Sequence, residues 1–127
     1  MSGPHRWVRA GLFVTAAVLV ASCSQEKNDS IPNFGGDAKH GAALVARYGC
    51  GQCHDIPQIT NANGNVGPPL HRIGTRTYIA GVLNNSPDNL ALWIENPQAV
   101  VPGNAMPNMG ISHQDSRDIT AFLYTLK

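Results

Sequence analysis

Cys50-Gly51-Gln52-Cys53-His54 is the stretch on which the reading of this 127-residue chain turns. Cys-x-x-Cys-His is the attachment sequence of a c-type haem. Two thiols three positions apart reach the two vinyl groups on one edge of a porphyrin. The next residue, His54, then lies beneath the ring and offers an imidazole to iron. A Cys-x-x-Cys pair also occurs as a thiol redox centre and as half of a zinc site. The second pair that zinc needs is missing, because Cys23 is the one other cysteine. A disulfide between Cys50 and Cys53 would be a poor structural staple.

An iron centre that carries electrons needs a second axial ligand. Met/His ligation stabilises the reduced state relative to two histidines. Pro102-Gly103-Asn104-Ala105-Met106-Pro107 offers a thioether in a loop shaped by Gly and Pro. Met109 is the rival, but it comes three residues late relative to Pro102-Gly103. Pro107 removes a backbone donor beside Met106, as suits a loop outside any ladder.

Around these two segments the chain has Gly67-Pro68-Pro69-Leu70, Asn96-Pro97 and Gly110-Ile111, in that order. With Cys50 to His54 and Pro102 to Met106, this pattern resembles class I cytochrome c from about Asp37 to Lys127. The resemblance implies a small all-α fold of three to five helices wrapped around one covalently attached haem c. It implies thioether bonds at Cys50 and Cys53, with His54 as the proximal ligand and Met106 as the distal one. The Pro68 carbonyl would accept the Nδ1–H of His54 and fix the ring. Arg76 falls where the family often has an Arg near a haem propionate. Trp93 falls where mitochondrial members have a Tyr close to the axial Met, although an indole only donates. The Trp that bonds a propionate elsewhere in the family has no counterpart; Asn85 stands near its place. His71 lies on the proximal-side loop in the family layout, and His40, His71, His113 and Arg72 read as solvated surface.

Helix signals flank the motifs. Asp37 can cap a helix from Ala38 to Tyr48, with Gly41 and Val45 on one face. Ser86-Pro87-Asp88 reads as the start of another that carries Leu90, Trp93 and Ile94 and stops before Pro97. Ser112-x-x-Asp115 approximates a capping box. Ile119, Phe122, Leu123 and Leu126 then repeat at i, i+3, i+4 and i+7, the stripe of a core-facing helix. A shorter helical piece is expected around Tyr78 to Leu83, and Asn61 to Pro69 is a loop by composition. No segment alternates as a strand would. In the resembling family the first and last helices cross, which would set Gly41 and Val45 against Ile119 and Phe122. About 90 residues make a thin core by themselves, so the chain is expected to fold poorly without its cofactor.

The N-terminus stands apart. His5, Arg6 and Arg9 precede an uncharged run, Ala10 to Ala21, too short for a membrane span of about 20 apolar residues and laid out like a secretory signal. It ends in Val20-Ala21-Ser22-Cys23, which looks like a bacterial lipobox. The expected organisation is a lipoprotein signal over residues 1–22, lipidation at Cys23, a flexible tether over 23–36 and a cytochrome c domain over 37–127. The expected location is the periplasm, on a cell-envelope membrane.

Composition limits the partners. Charged residues make up 13% of the chain and no basic stripe stands out, which counts against a nucleic-acid binder. Apolar residues at 43% count against a disordered chain. Beyond residue 22 the chain has seven Lys and Arg against eight Asp and Glu, so long-range electrostatic steering should be weak. No nucleophile or acid/base pair suggests an enzyme. The expectation is a monomeric electron carrier. Electrons would arrive from a quinol-oxidising complex or a dehydrogenase and leave to a terminal oxidase or another cytochrome. The alternative is a haem subunit bound permanently to such a complex.

Overall fold

Asp37 starts the first helix in the way its side chain suggests. In a computed structural model that describes residues 34–127 and the isolated Gly3, its carboxylate accepts from the amides of Lys39 (2.8 Å) and His40 (3.0 Å). The bonds satisfy two donors at the start of helix α1, Ala38–Arg47. Ser86 and Ser112 each accept one amide in the same way at the start of α2, Pro87–Glu95, and α4, His113–Leu123. Pro97, with no amide to give, both ends α2 and starts the short α3, Pro97–Val100. The Ile119, Phe122, Leu123 and Leu126 stripe is buried with Leu44, Val45, Leu90 and Ile94.

α1 crosses α4 at Gly41. A Cβ there would run into the Asp118 carbonyl, and it would lie 3.0 Å from the Ile119 nitrogen. Only hydrogen at this position lets the two backbones touch. The crossing carries a polar pin. Asp118, 3% exposed, accepts from the Asp37 amide (2.8 Å), His40 Nδ1 (2.7 Å) and Gln114 Nε2 (2.9 Å). Tyr48 Oη adds a second tie, donating to Asp115 at 2.7 Å, and that contact raises the Tyr48 pKa.

Two expectations change. Tyr78 to Leu83 is a two-stranded antiparallel hairpin, not a helical piece. β1, Tyr78–Ile79, pairs with β2, Leu83–Asn84, with Tyr78 opposite Asn84 and Ile79 opposite Leu83. Ala80 and Gly81 both have positive φ, 52° and 73°, which a right-handed helix cannot use and a tight hairpin turn needs. The described residues are therefore helical with one small sheet. The last three residues of the expected tether are also packed. The Phe34 carbonyl accepts from Arg117, whose guanidinium lies 5.4 Å from the Phe34 ring centroid, and Gln114 Nε2 donates to the Gly35 carbonyl at 3.0 Å. Residues 1–22 and Cys23 lie outside the described residues. Among the described residues no helix is long and apolar enough to cross a membrane.

Burial alone would raise the Asp118 pKa, but the Asp37 amide, His40 and Gln114 outweigh it and hold the carboxyl below its ordinary value. A depressed folded pKa contributes stability above the unfolded value of about 3.9 and loses it as pH falls through the folded one. Asp118→Asn is expected to cost about 1–3 kcal/mol at pH 7. The gap from wild type should narrow below pH 4, as denaturant unfolding at the two pH values will measure.

Candidate haem site

The Cys50 motif follows α1 through Gly49, whose φ of 72° turns the chain sharply. Cys50–Gln52 then forms one 3-10 turn. The amides of Cys53 and His54 both donate to the Cys50 carbonyl, at 3.2 and 3.0 Å. Both thiols and the imidazole thus come from a single tight turn. Cys50 is half-buried and Cys53 exposed, and neither is in a disulfide. Burial pushes the Cys50 thiol pKa up, the reverse of what an attacking redox thiolate requires.

The following loop laces back over this turn. Gly64 N donates to the Gly51 and His54 carbonyls at 3.0 and 3.2 Å, Gly67 N to the Cys53 carbonyl at 2.8 Å and Leu70 N to the Asp55 carbonyl at 2.8 Å. These bonds bring the Pro68 carbonyl to 2.7 Å from His54 Nδ1. The ring donates there, which defines the tautomer and leaves Nε2 as the basic nitrogen. Gly67 makes room for the imidazole: a Cβ would overlap the ring at Cε1 and stand 2.7 Å from Nδ1.

Arg76 braces the same loop, its Nη2 donating to the Pro69 and His71 carbonyls. Asn85 supports it from behind, donating to the carbonyls of Ile73 (2.7 Å) and Arg76 (2.8 Å) and accepting from Tyr124 Oη (2.8 Å). Trp93 is half-buried on α2 and packs against the core. His71 bonds Asp55 Oδ2 at 2.8 Å. The other two histidines expected at the surface, His40 and His113, likewise each meet a carboxylate.

Met106 lies in the loop between α3 and α4 and is half-buried, whereas Met109 is 41% exposed. Two side chains to which the sequence assigns no role hold this loop. Asn104 Oδ1 accepts the Met106 amide at 2.7 Å, and Gln98 Nε2 donates to the Met106 carbonyl at 2.7 Å. Gln98 stands between Pro97 and Ala99-Val100-Val101 and carries no signal that separates it from a solvated amide.

The donor set fits a covalently held haem: two thiols on one turn, an imidazole with one nitrogen fixed and the other available, and a thioether on a separate ordered loop. The Cytochrome c family model matches residues 38–127, and the chain belongs to that family. Cytochrome c of Euglena viridis is 33% identical over 105 residues, covering 72% of this chain and 99% of that protein. Cytochrome c oxidase subunit 2 of Alkalihalophilus pseudofirmus is 34% identical over 91 residues, covering 71% of this chain and 26% of the subunit. The corresponding subunit of Bacillus subtilis is 30% identical over 89 residues. The chain spans about a quarter of the length of these oxidase subunits. As a member of the family it is an electron-transfer protein with one covalently attached haem c.

Gly67→Ala is expected to cost about 1–3 kcal/mol, because the added methyl overlaps the His54 ring. Denaturant unfolding of the haem-loaded protein measures the loss. The His54 ring-proton resonances should move with it.

Proposed function

We propose that the protein is a monohaem electron carrier of a bacterial respiratory chain, with His54 and Met106 as axial ligands. The observation that carries this reading is the 2.7 Å bond from His54 Nδ1 to the Pro68 carbonyl, which orients the ring and raises the basicity of Nε2. Bound haem c supplies reversible one-electron exchange at its iron. The chain's residues set the conditions for that exchange. Cys50 and Cys53 would hold the group through thioether bonds. The His54 imidazole and the Met106 thioether would hold its iron, and the thioether would favour the reduced state. With both ligands drawn from the protein, the transfer would be outer-sphere. Trp93 and Arg76 would join the cofactor-facing side chains, and Arg76 also stiffens the loop that carries Pro68.

Electrons arrive from a quinol-oxidising complex or a dehydrogenase and leave to a terminal oxidase or another cytochrome. Lipid on Cys23 holds the protein to the cell envelope on its periplasmic side, where confinement raises the frequency of encounter with membrane partners. A second reading, a haem subunit fixed in an oxidase complex, is favoured by the likeness to oxidase subunit 2. Sedimentation of the native detergent extract separates the two, since a carrier runs small and a fixed subunit runs with its complex.

Met106→Ala should abolish the weak band at the red edge of the visible spectrum that reports sulfur–iron bonding in the oxidised protein, and should lower the potential. Met109→Ala should leave both unchanged. Loss of the band in the Met109 variant alone would reverse the assignment.

Cys23→Ser should block processing or move the protein from the membrane to the soluble fraction. A wild-type N-terminus beyond Cys23 and free of lipid would refute the anchor.

A further inference from the structure

Gln98 is the hub of the loop that presents Met106. Its Nε2 donates to the carbonyls of Asn104 (2.9 Å) and Met106 (2.7 Å), and its Oε1 accepts the amide of Gly103 at 3.0 Å. Two carbonyls and one N–H surround the side-chain amide, so only one orientation satisfies all three. The Gln98 backbone amide also donates to Asn108 Oδ1 at 3.2 Å. Asn104 completes the frame. Its Oδ1 accepts the Met106 amide, and its Nδ2 donates to the carbonyls of Pro97 (3.0 Å) and Val101 (2.6 Å). The Met106 backbone is thereby held on both sides, by Gln98 at its carbonyl and by Asn104 at its amide.

We infer that Gln98 is a positioning residue for the distal ligand: it clamps the 103–106 backbone so that Met106 resists displacement from iron. The inference rests on the His54/Met106 reading and extends it. Residues 96–112 include no Lys, His or Cys. Met109 is the one other sulfur on the loop, so a competing ligand comes from there, from a His or Lys elsewhere in the chain, or from solution. For any of these to enter, Met106 must move, and movement of its backbone breaks the Gln98 bond at its carbonyl. The clamp therefore sets how readily the distal position opens, while the iron ligands stay the same.

Three variants test this in the haem-loaded protein, with haem content and far-ultraviolet circular dichroism confirming that each is folded. Gln98→Leu removes the donors and the acceptor. Gln98→Glu keeps size and the acceptor for Gly103 but, ionised at pH 7, has no donor for the two carbonyls. Both should bind imidazole in the oxidised state at least tenfold faster than wild type. Both should lose the red-edge band at least one pH unit earlier on alkaline titration. Amide hydrogen exchange at Gly103 and Met106 should accelerate at least tenfold in Gln98→Leu. Wild-type imidazole rates and amide exchange in Gln98→Leu would overturn the clamp, as would a wild-type imidazole rate in Gln98→Glu. Met106→Ala is the third variant. Survival of the band there overturns the ligation reading, and the role at iron falls with it. Loss of the band there, together with wild-type behaviour of Gln98→Leu, overturns the clamp alone.

Discussion

Where α1 meets α4, the backbones touch because Gly41 has no side chain. That approach determines where everything between the two helices in sequence can lie. It joins the first helix of the described residues to their last, and Asp118, its side chain 5% exposed, pins the joint by accepting three hydrogen bonds. A buried carboxylate is costly without such partners. With them it favours one relative placement of the helices, because a shift of α1 along α4 would strand it. The Cys50 turn follows directly from the C-terminus of α1, and the Met106 loop leads directly into α4. Both halves of the site are therefore referenced to the same crossing.

The two halves are built from the same physical device in different forms. Neither loop is part of a helix or an extended sheet, so each needs its backbone groups satisfied in another way. On the proximal side the loop amides of Gly64, Gly67 and Leu70 bond back to the carbonyls of Gly51, Cys53, His54 and Asp55. On the distal side the side-chain amides of Gln98 and Asn104 do this work. The difference follows from composition. Glycine lets the proximal backbone approach a turn closely. The distal loop, bounded by Pro102 and Pro107, has fewer amides to give and is spanned by side chains.

Much of the site was legible in the sequence because its chemistry is local. Cys50, Cys53 and His54 are neighbours, and their spacing alone sets what they can bind together. The caps at Asp37, Ser86 and Ser112 are local as well, each residue bonding an amide two or three positions on. The Tyr78–Asn84 hairpin was not legible, because Tyr-Ile and Leu-Asn are too short for alternation to show, and Ala80 gives little hint of a positive φ. Gln98 was not legible either. A glutamine after Pro97 has no periodicity or motif, and its partners lie five to eight residues downstream on a loop whose path is set by α3 and α4.

The sequence by itself determined the attachment turn, the candidate axial residues, the helix starts and the apolar stripe of α4, since each depends on residues within one or two turns of one another. Only the tertiary structure decided how those pieces meet: the Asp118 pin beneath Gly41, the carbonyl of Pro68 against His54, and the side chain of Gln98 under Met106. Each joins groups from separate segments or loops, and the distances between such groups are products of packing.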